Sequence, residues 1–325
     1  MILPVRQYYT LYIIYVAVML AIPVTFLSSC SGSRAGEPVE IRRLDLALRA
    51  DIMPEDPAMQ SAAATLFSLS GYGQLTDSAI HVYNRNPAIR LHDRAMDSVW
   101  HDMQPLENSL GRMRFSFEKL FPGNRFPSVI AIVSPFNQSV FTVDSLLYLG
   151  LNHYLGSDYP PYAYFPDYIR ASKTPERLLP DISEAIVRGN YPYRPSAEYP
   201  TALSRMLYEG AVTEAVMQIC GLSEQQALGY DTEAMKWADS NEHRVWQTMA
   251  EQKMIFSTDP QLAAMLVSPA PFTSAINPRS PGAIGRFIGH RIISATLDRH
   301  AIALPDLLSP AFYDSETTLS QSGYK

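Results

Sequence analysis

One helical stretch constrains the fold more than any other part of this sequence. At about 100° per residue, Tyr199–Cys220 places Leu203, Leu207, Gly210, Glu214 and Met217 on one side and Val212, Val216 and Ile219 on the opposite side. A helix that is apolar all round belongs at the centre of a fold, with other elements packed around it. Two carboxylates, Glu209 and Glu214, ride on it. Burying an unpaired carboxylate costs several kcal/mol, so each needs a cation, a metal or hydrogen-bond donors. Two readings stay open at this point: an internal ion pair that locks the helix, or a metal-ligand or general-base carboxylate in a cleft.

A later helix supplies the cation. Within Pro281–Ile293, Arg286 and His290 stand four apart on one face, and Gly285 and Gly289 line an adjacent stripe. Missing side chains there admit a second helix at close range. Between these two helices, Glu242 shares a helical face with Trp246. The positions predict that Glu209, Glu242 and Arg286 converge in one polar cluster, with Gly210, Glu214 and His290 beside it.

The remaining chain is core-rich, with 47% apolar and 18% charged residues over 325 positions. A net charge of −6 with no basic stripe argues against nucleic acid as a partner. Two cysteines, Cys30 and Cys220, support neither a disulfide scaffold nor a cysteine-ligated zinc site. None of the seven histidines pairs at a spacing of four or five, and each reads as structural. There is no His-Glu-x-x-His, no glycine-rich phosphate loop and no Gly-x-Ser-x-Gly elbow. No metal, and no cofactor beyond a lipid on Cys30, is expected.

Ile41–Leu48 reads as a strand or short helix, and Ala58–Phe117 as mostly helical, with one helix starting at Pro105. Ser128–Ser134 and Gln138–Asp144 read as two strands joined across Pro135–Ser139 in a hairpin. Helices follow over Pro175–Arg188, Tyr199–Cys220, Asp231–Phe256, Pro260–Leu266 and Pro281–His300. The expected architecture is α+β and mostly helical, a single domain over 41–325 with a small sheet or hairpin. The tyrosine-rich segment Tyr159–Phe165 either packs on the core or offers rings to a sugar.

At the N-terminus, Tyr8–Leu27 is long and apolar and ends in Leu27-Ser28-Ser29-Cys30. About 20 such residues can span a bilayer. The closing residues, however, resemble the lipobox of bacterial lipoproteins. That resemblance implies a signal peptide over 1–29, a diacylglycerol and acyl lipid on Cys30, and a tether over 30–40, with the membrane as partner through the lipid. By resemblance to Gram-negative lipoproteins, Ser31 after the cysteine favours the outer membrane, and the lack of an acidic cluster favours a periplasm-facing position.

An ordered set of motifs resembles the GldB family of gliding-motility lipoproteins. The set comprises the lipobox, Leu149–Gly156, Met206-Leu-Tyr-Glu-Gly210, Asn241-Glu242 before Trp246, Ala270–Thr273 and Pro281–Gly289. That family in turn looks like a distant branch of zincin-type metalloproteases, whose His-Glu-x-x-His helix precedes a helix bearing Glu-Gly. Glu209-Gly210 matches the second motif. Pro180–Arg188, where the first is due, has Glu184 and no histidine. Zinc catalysis needs three protein ligands and an open position. The resemblance therefore implies a zincin-like scaffold kept as a non-catalytic binding module, with envelope, motility or secretion proteins as partners. A metal-dependent hydrolase using Glu209 and a glycan- or solute-binding lipoprotein are the alternatives.

Overall fold

A computed structural model describes residues 36–134 and 138–325. The expected signal peptide 1–29, the lipidated Cys30 and the first half of the tether lie outside the described residues, as does the middle of the Pro135–Ser139 connection.

Strand order follows from which segments can be buried on both faces. Ser128–Ile132 (β2) and Leu146–Gly150 (β4) are buried along nearly their whole length, whereas Ile41–Arg43 (β1) and Val140–Val143 (β3) are half-covered. The sheet order is β1-β2-β4-β3. β1 runs parallel to β2 (Ile41 opposite Val129), and β2 runs parallel to β4 from Ser128↔Leu146 to Ile132↔Gly150. β3 is antiparallel to β4, with Val143 opposite Leu146.

The expected hairpin between Ser128–Ser134 and Gln138–Asp144 is therefore wrong. β2 is apolar on both faces and takes parallel neighbours, as buried strands of that kind do. The hairpin is β3–β4, turned at Asp144, whose φ is +52°. Leu146–Gly150 is a strand that the sequence reading passed over, and Ile41–Leu48 divides into β1 and the start of a helix.

The longer helices are α1 (Leu44–Arg49), α2 (Pro57–Leu69), α3 (Asp77–Arg85), α4 (Asp93–Val99), α5 (Gln104–Leu120), α6 (Leu178–Asn190), α7 (Ala202–Cys220), α8 (Thr232–Glu251), α9 (Pro260–Val267) and α10 (Ile284–Leu297). The fold is α+β and mostly helical, with a small four-stranded sheet. Side-chain caps set several starts: Asp56 before Pro57, Thr201 before α7, Asp231 before α8 and Asp259 before Pro260.

α7 is the centre, as its pattern requires. Met206, Leu207, Ala211, Val212 and Ala215 have no exposed surface, and each large side chain among them contributes about 1.5–3 kcal/mol. α7 packs most extensively on α10. A Cβ added to Gly289 would lie 1.9 Å from the Met206 carbonyl oxygen, and one on Gly210 would lie 2.3 Å from the Gly289 carbonyl carbon. The two glycines let the backbones touch, and the helix pair fixes everything the site is built from. Among the described residues, no helix is long and apolar enough to cross a membrane.

Candidate functional site

Two i,i+4 pairs on adjacent helices generate the main polar cluster. α6 carries Glu184 and Arg188, and α7 carries Arg205 and Glu209, a spacing that stacks side chains on one face. Glu209 is 2% exposed. Arg188 donates from Nη1 to its Oε1 at 3.2 Å and from Nη2 to its Oε2 at 2.5 Å. Arg205 Nη2 stands 2.9 Å from Oε1, and Arg286 Nε of α10 stands 3.6 Å from Oε2. Glu184 accepts from Arg188 at 2.8 and 3.0 Å and from Arg286 at 3.0 Å, with Arg177 at 4.0 Å. Arg177 also donates to Asp181 at 2.7 Å, where the Tyr154 hydroxyl donates at 2.7 Å on the other oxygen.

Electrostatics follow from this packing. Burial pushes the Glu184 carboxyl up, but Arg286, Arg188 and Arg177 outweigh it and hold the group well below the ordinary carboxylate range. Burial likewise opposes the Arg188 charge, and Glu184 and Glu209 more than restore it. Asp181 goes the other way: burial raises it despite Arg177 and Tyr154.

The structure brings Glu209 and Arg286 together, as the sequence reading expected, but not Glu242. Glu242 accepts from the Tyr324 hydroxyl at 2.9 Å and stands 3.7 Å from Arg291 Nε. Arg291 lies five residues beyond Arg286, about 140° round α10, so it serves a different face. Glu214 and His290 also form a separate group. Buried His290 faces Glu224 through Nδ1 at 2.6 Å and Glu214 through Nε2 at 2.9 Å. Burial lowers its pKa, but the two carboxylate hydrogen bonds carry it up to about 9, and His290 in turn pulls Glu214 down. With a carboxylate on each nitrogen, the ring is an imidazolium donating twice. Arg291 closes this second group on Glu224 at 2.9 Å and on Asp239. Gly210 is a helix contact: a Cβ there would first meet the backbone of Gly289 and His290.

Arg188, Arg205, Arg177, Glu224 and Arg291 were missed from sequence, and Glu184 was noticed only for the histidines missing beside it. The spacings Glu184–Arg188 and Arg205–Glu209 were the available signal.

These residues do not fit the zinc ion that a zincin resemblance implies. A guanidinium has no lone pair to donate, and with Glu184 as the glutamate of the motif the two imidazoles are due at positions 183 and 187, which hold Ser183 and Val187. Both carboxylates already face arginines, whose charge repels a dication. Among the described residues, no group of three or more His, Cys, Asp or Glu side chains is placed to hold a metal.

Beside the cluster lies a sheet edge. Among the described residues, β3 pairs with β4 alone. Gly150 N donates to Ser139 O at 2.7 Å, which makes 139↔150 a hydrogen-bonded pair and, by alternation, Val140↔Leu149 and Thr142↔Leu147 non-bonded pairs. The backbone N–H and C=O of Val140 and Thr142 therefore point away from β4. Gly189, next to Arg188, backs onto Thr142: a Cβ there would meet its Oγ1 at 2.6 Å. The edge and the arginines are thus neighbours through α6.

The tyrosine-rich segment divides. Tyr162 is buried and donates to Asn152 O at 2.5 Å, while Tyr164 is exposed. Cys220 is half-buried, with its thiol pushed up to about 11 by burial.

No curated protein and no solved structure matches this chain. A family model does, over residues 33–325, which include both ionic groups, the sheet and every helix described above. On that match the chain belongs to the family of the gliding motility protein GldB.

Proposed function

We propose that this chain is a lipoprotein of the gliding-motility apparatus or of the secretion and envelope machinery linked with it, and that it works by binding a protein or peptide. In this reading Cys30 carries the lipid, the anchor is in the outer membrane, and the folded part faces the periplasm. Membership of the GldB family supports the motility role.

One observation carries the choice of binding over catalysis. Both oxygens of Glu209, the carboxylate best placed for chemistry by sequence, are committed to arginines. A base or metal ligand needs a free lone pair directed at a substrate or ion, and these are spent on guanidiniums. What stays available is the β3 edge, where an extended peptide adds by backbone hydrogen bonds to Val140 and Thr142.

The test uses the soluble chain beginning at Ser31. Peptides selected from a random library are bound to it while amide hydrogen exchange is followed. Slowed exchange at Val140 and Thr142 with the peptides left intact is the expected result. Peptides that are cleaved, with cleavage lost in Glu209→Gln, contradict it, and so do binders that leave β3 unprotected.

A further inference from the structure

Arg205 differs from the other arginines of the cluster. Arg188 donates four hydrogen bonds and Arg286 one, but Arg205 makes no side-chain hydrogen bond among the described residues. Among those residues its single carboxylate contact is Glu209, and its Nε is buried with no hydrogen-bond partner. Arg286 Nε, on a side chain only 10% exposed, also lacks one. The Arg205 guanidinium lies over the rings of Tyr193 at 4.8 Å and Tyr208 at 5.8 Å, while 35% of the side chain stays open to solvent. Two aromatic faces thus hold a planar fork of donors in a fixed orientation with most of its N–H groups unused.

Charge points the same way. Among the described residues, the ion pairs of the cluster join four arginines (177, 188, 205 and 286) to three carboxylates (181, 184 and 209), leaving one positive charge over. Asp314, hydrogen-bonded by Ser196 and Ser204, makes no ion pair with Arg205 among the described residues. A single excess charge balances a carboxylate and falls short of a phosphate dianion. A fork of two parallel N–H groups also matches a carboxylate.

We propose that Arg205, steadied by Tyr193 and Tyr208 and backed by Arg188, receives a carboxylate of the bound peptide, so that the ligand is an acidic peptide. This rests on the peptide-binding reading and supplies what the backbone edge lacks, a side-chain preference. The link between the two is α6: β3 abuts Gly189, Arg188 immediately precedes it, and Glu209 joins Arg188 to Arg205.

The test is a titration of the chain from Ser31, ¹⁵N-labelled at arginine, followed through the Nε–Hε signals. Probes are acetyl-Ala-Glu-Ala-amide, its Gln counterpart and inorganic phosphate. The expected result is a saturable shift of the Arg205 signal by the Glu peptide at a concentration about tenfold or more below that of the Gln peptide. The signal is assigned by its loss in Arg205→Gln, a variant in which Arg188 and Arg286 still hold Glu209. Arg205→Lys keeps the charge but not the fork, and weaker binding is expected there. Equal response to both peptides, a shift that never saturates, or tighter response to phosphate overturns the proposal. A library-selected peptide that protects β3 equally well in wild type and Arg205→Gln sinks this inference alone. Carboxylate capture at Arg205 with no protection of β3 sinks the edge reading and leaves this site standing.

Discussion

Replacing His290 with glutamine gives the sharpest quantitative test of the packing around α10. The imidazolium between Glu214 and Glu224 has its pKa carried from 6.5 to about 9, with burial opposing and the two carboxylate bonds prevailing. The folded chain thus holds a proton that the unfolded chain releases between those two values. Its stabilisation is complete below pH 6.5 and is lost as pH rises through 9. A shift of about 2.5 units at 1.36 kcal/mol each is about 3 kcal/mol. The side chain is only 6% exposed, so solvent screening takes little from this. The lowered Glu214 is the other side of the same contact and is counted once. Lys173, pushed down to about 8 by burial, adds a rise in stability between about pH 8 and 10.5, but it is common to both proteins. The quantity to measure is therefore the difference between wild type and His290→Gln in urea unfolding of the chain from Ser31, at about pH 6 and about pH 9.5. That difference is expected to shrink by about 3 kcal/mol across the range. A difference constant to within about 1 kcal/mol refutes an imidazolium held by two carboxylates.

Three other outcomes are expected. Arg188→Ala strips Glu209 of its two-point partner and leaves a buried carboxylate short of donors, at a cost of about 3–5 kcal/mol by denaturant unfolding; a loss under about 1 kcal/mol would mean that Arg205 and Arg286 suffice. Gly289→Ala drives a methyl group into the Met206 carbonyl and costs at least about 1–3 kcal/mol, unless α7 and α10 separate without penalty. Cys30→Ala is expected to abolish incorporation of labelled fatty acid and move the protein out of the membrane fraction; retention there would point to an uncleaved apolar N-terminal segment as the anchor.

The sequence displayed its helices plainly, because Asp56-Pro57, Thr201, Asp231 and Asp259-Pro260 mark helix starts with chemistry that works locally. β4 was less legible. Leu146–Gly150 is a short apolar run leading straight into a 3₁₀ turn at Leu151–His153, and its parallel partner β2 lies on the far side of β3 in the chain. Periodicity cannot report such a pairing. α7 was legible as a buried helix because no surface helix is apolar all round, and the need of Glu209 for a cation followed from burial alone. Which cation it takes depends on rotation about three helices. Arg286 could be guessed, whereas Arg188 and Arg205 look like ordinary solvated positions until α6 and α7 are packed. Glu242 failed for the same reason: α8 turns it toward Tyr324 and Arg291, away from Glu209.

Arginines, not a metal, satisfy Glu184 and Glu209. The most direct test is a calorimetric zinc titration of the chain from Ser31, purified without chelator, beside Glu209→Gln. No saturable zinc binding that depends on Glu209 is predicted. Near-stoichiometric zinc with sub-micromolar affinity, lost in Glu209→Gln, would contradict the binding-module account and make the cluster a metal centre.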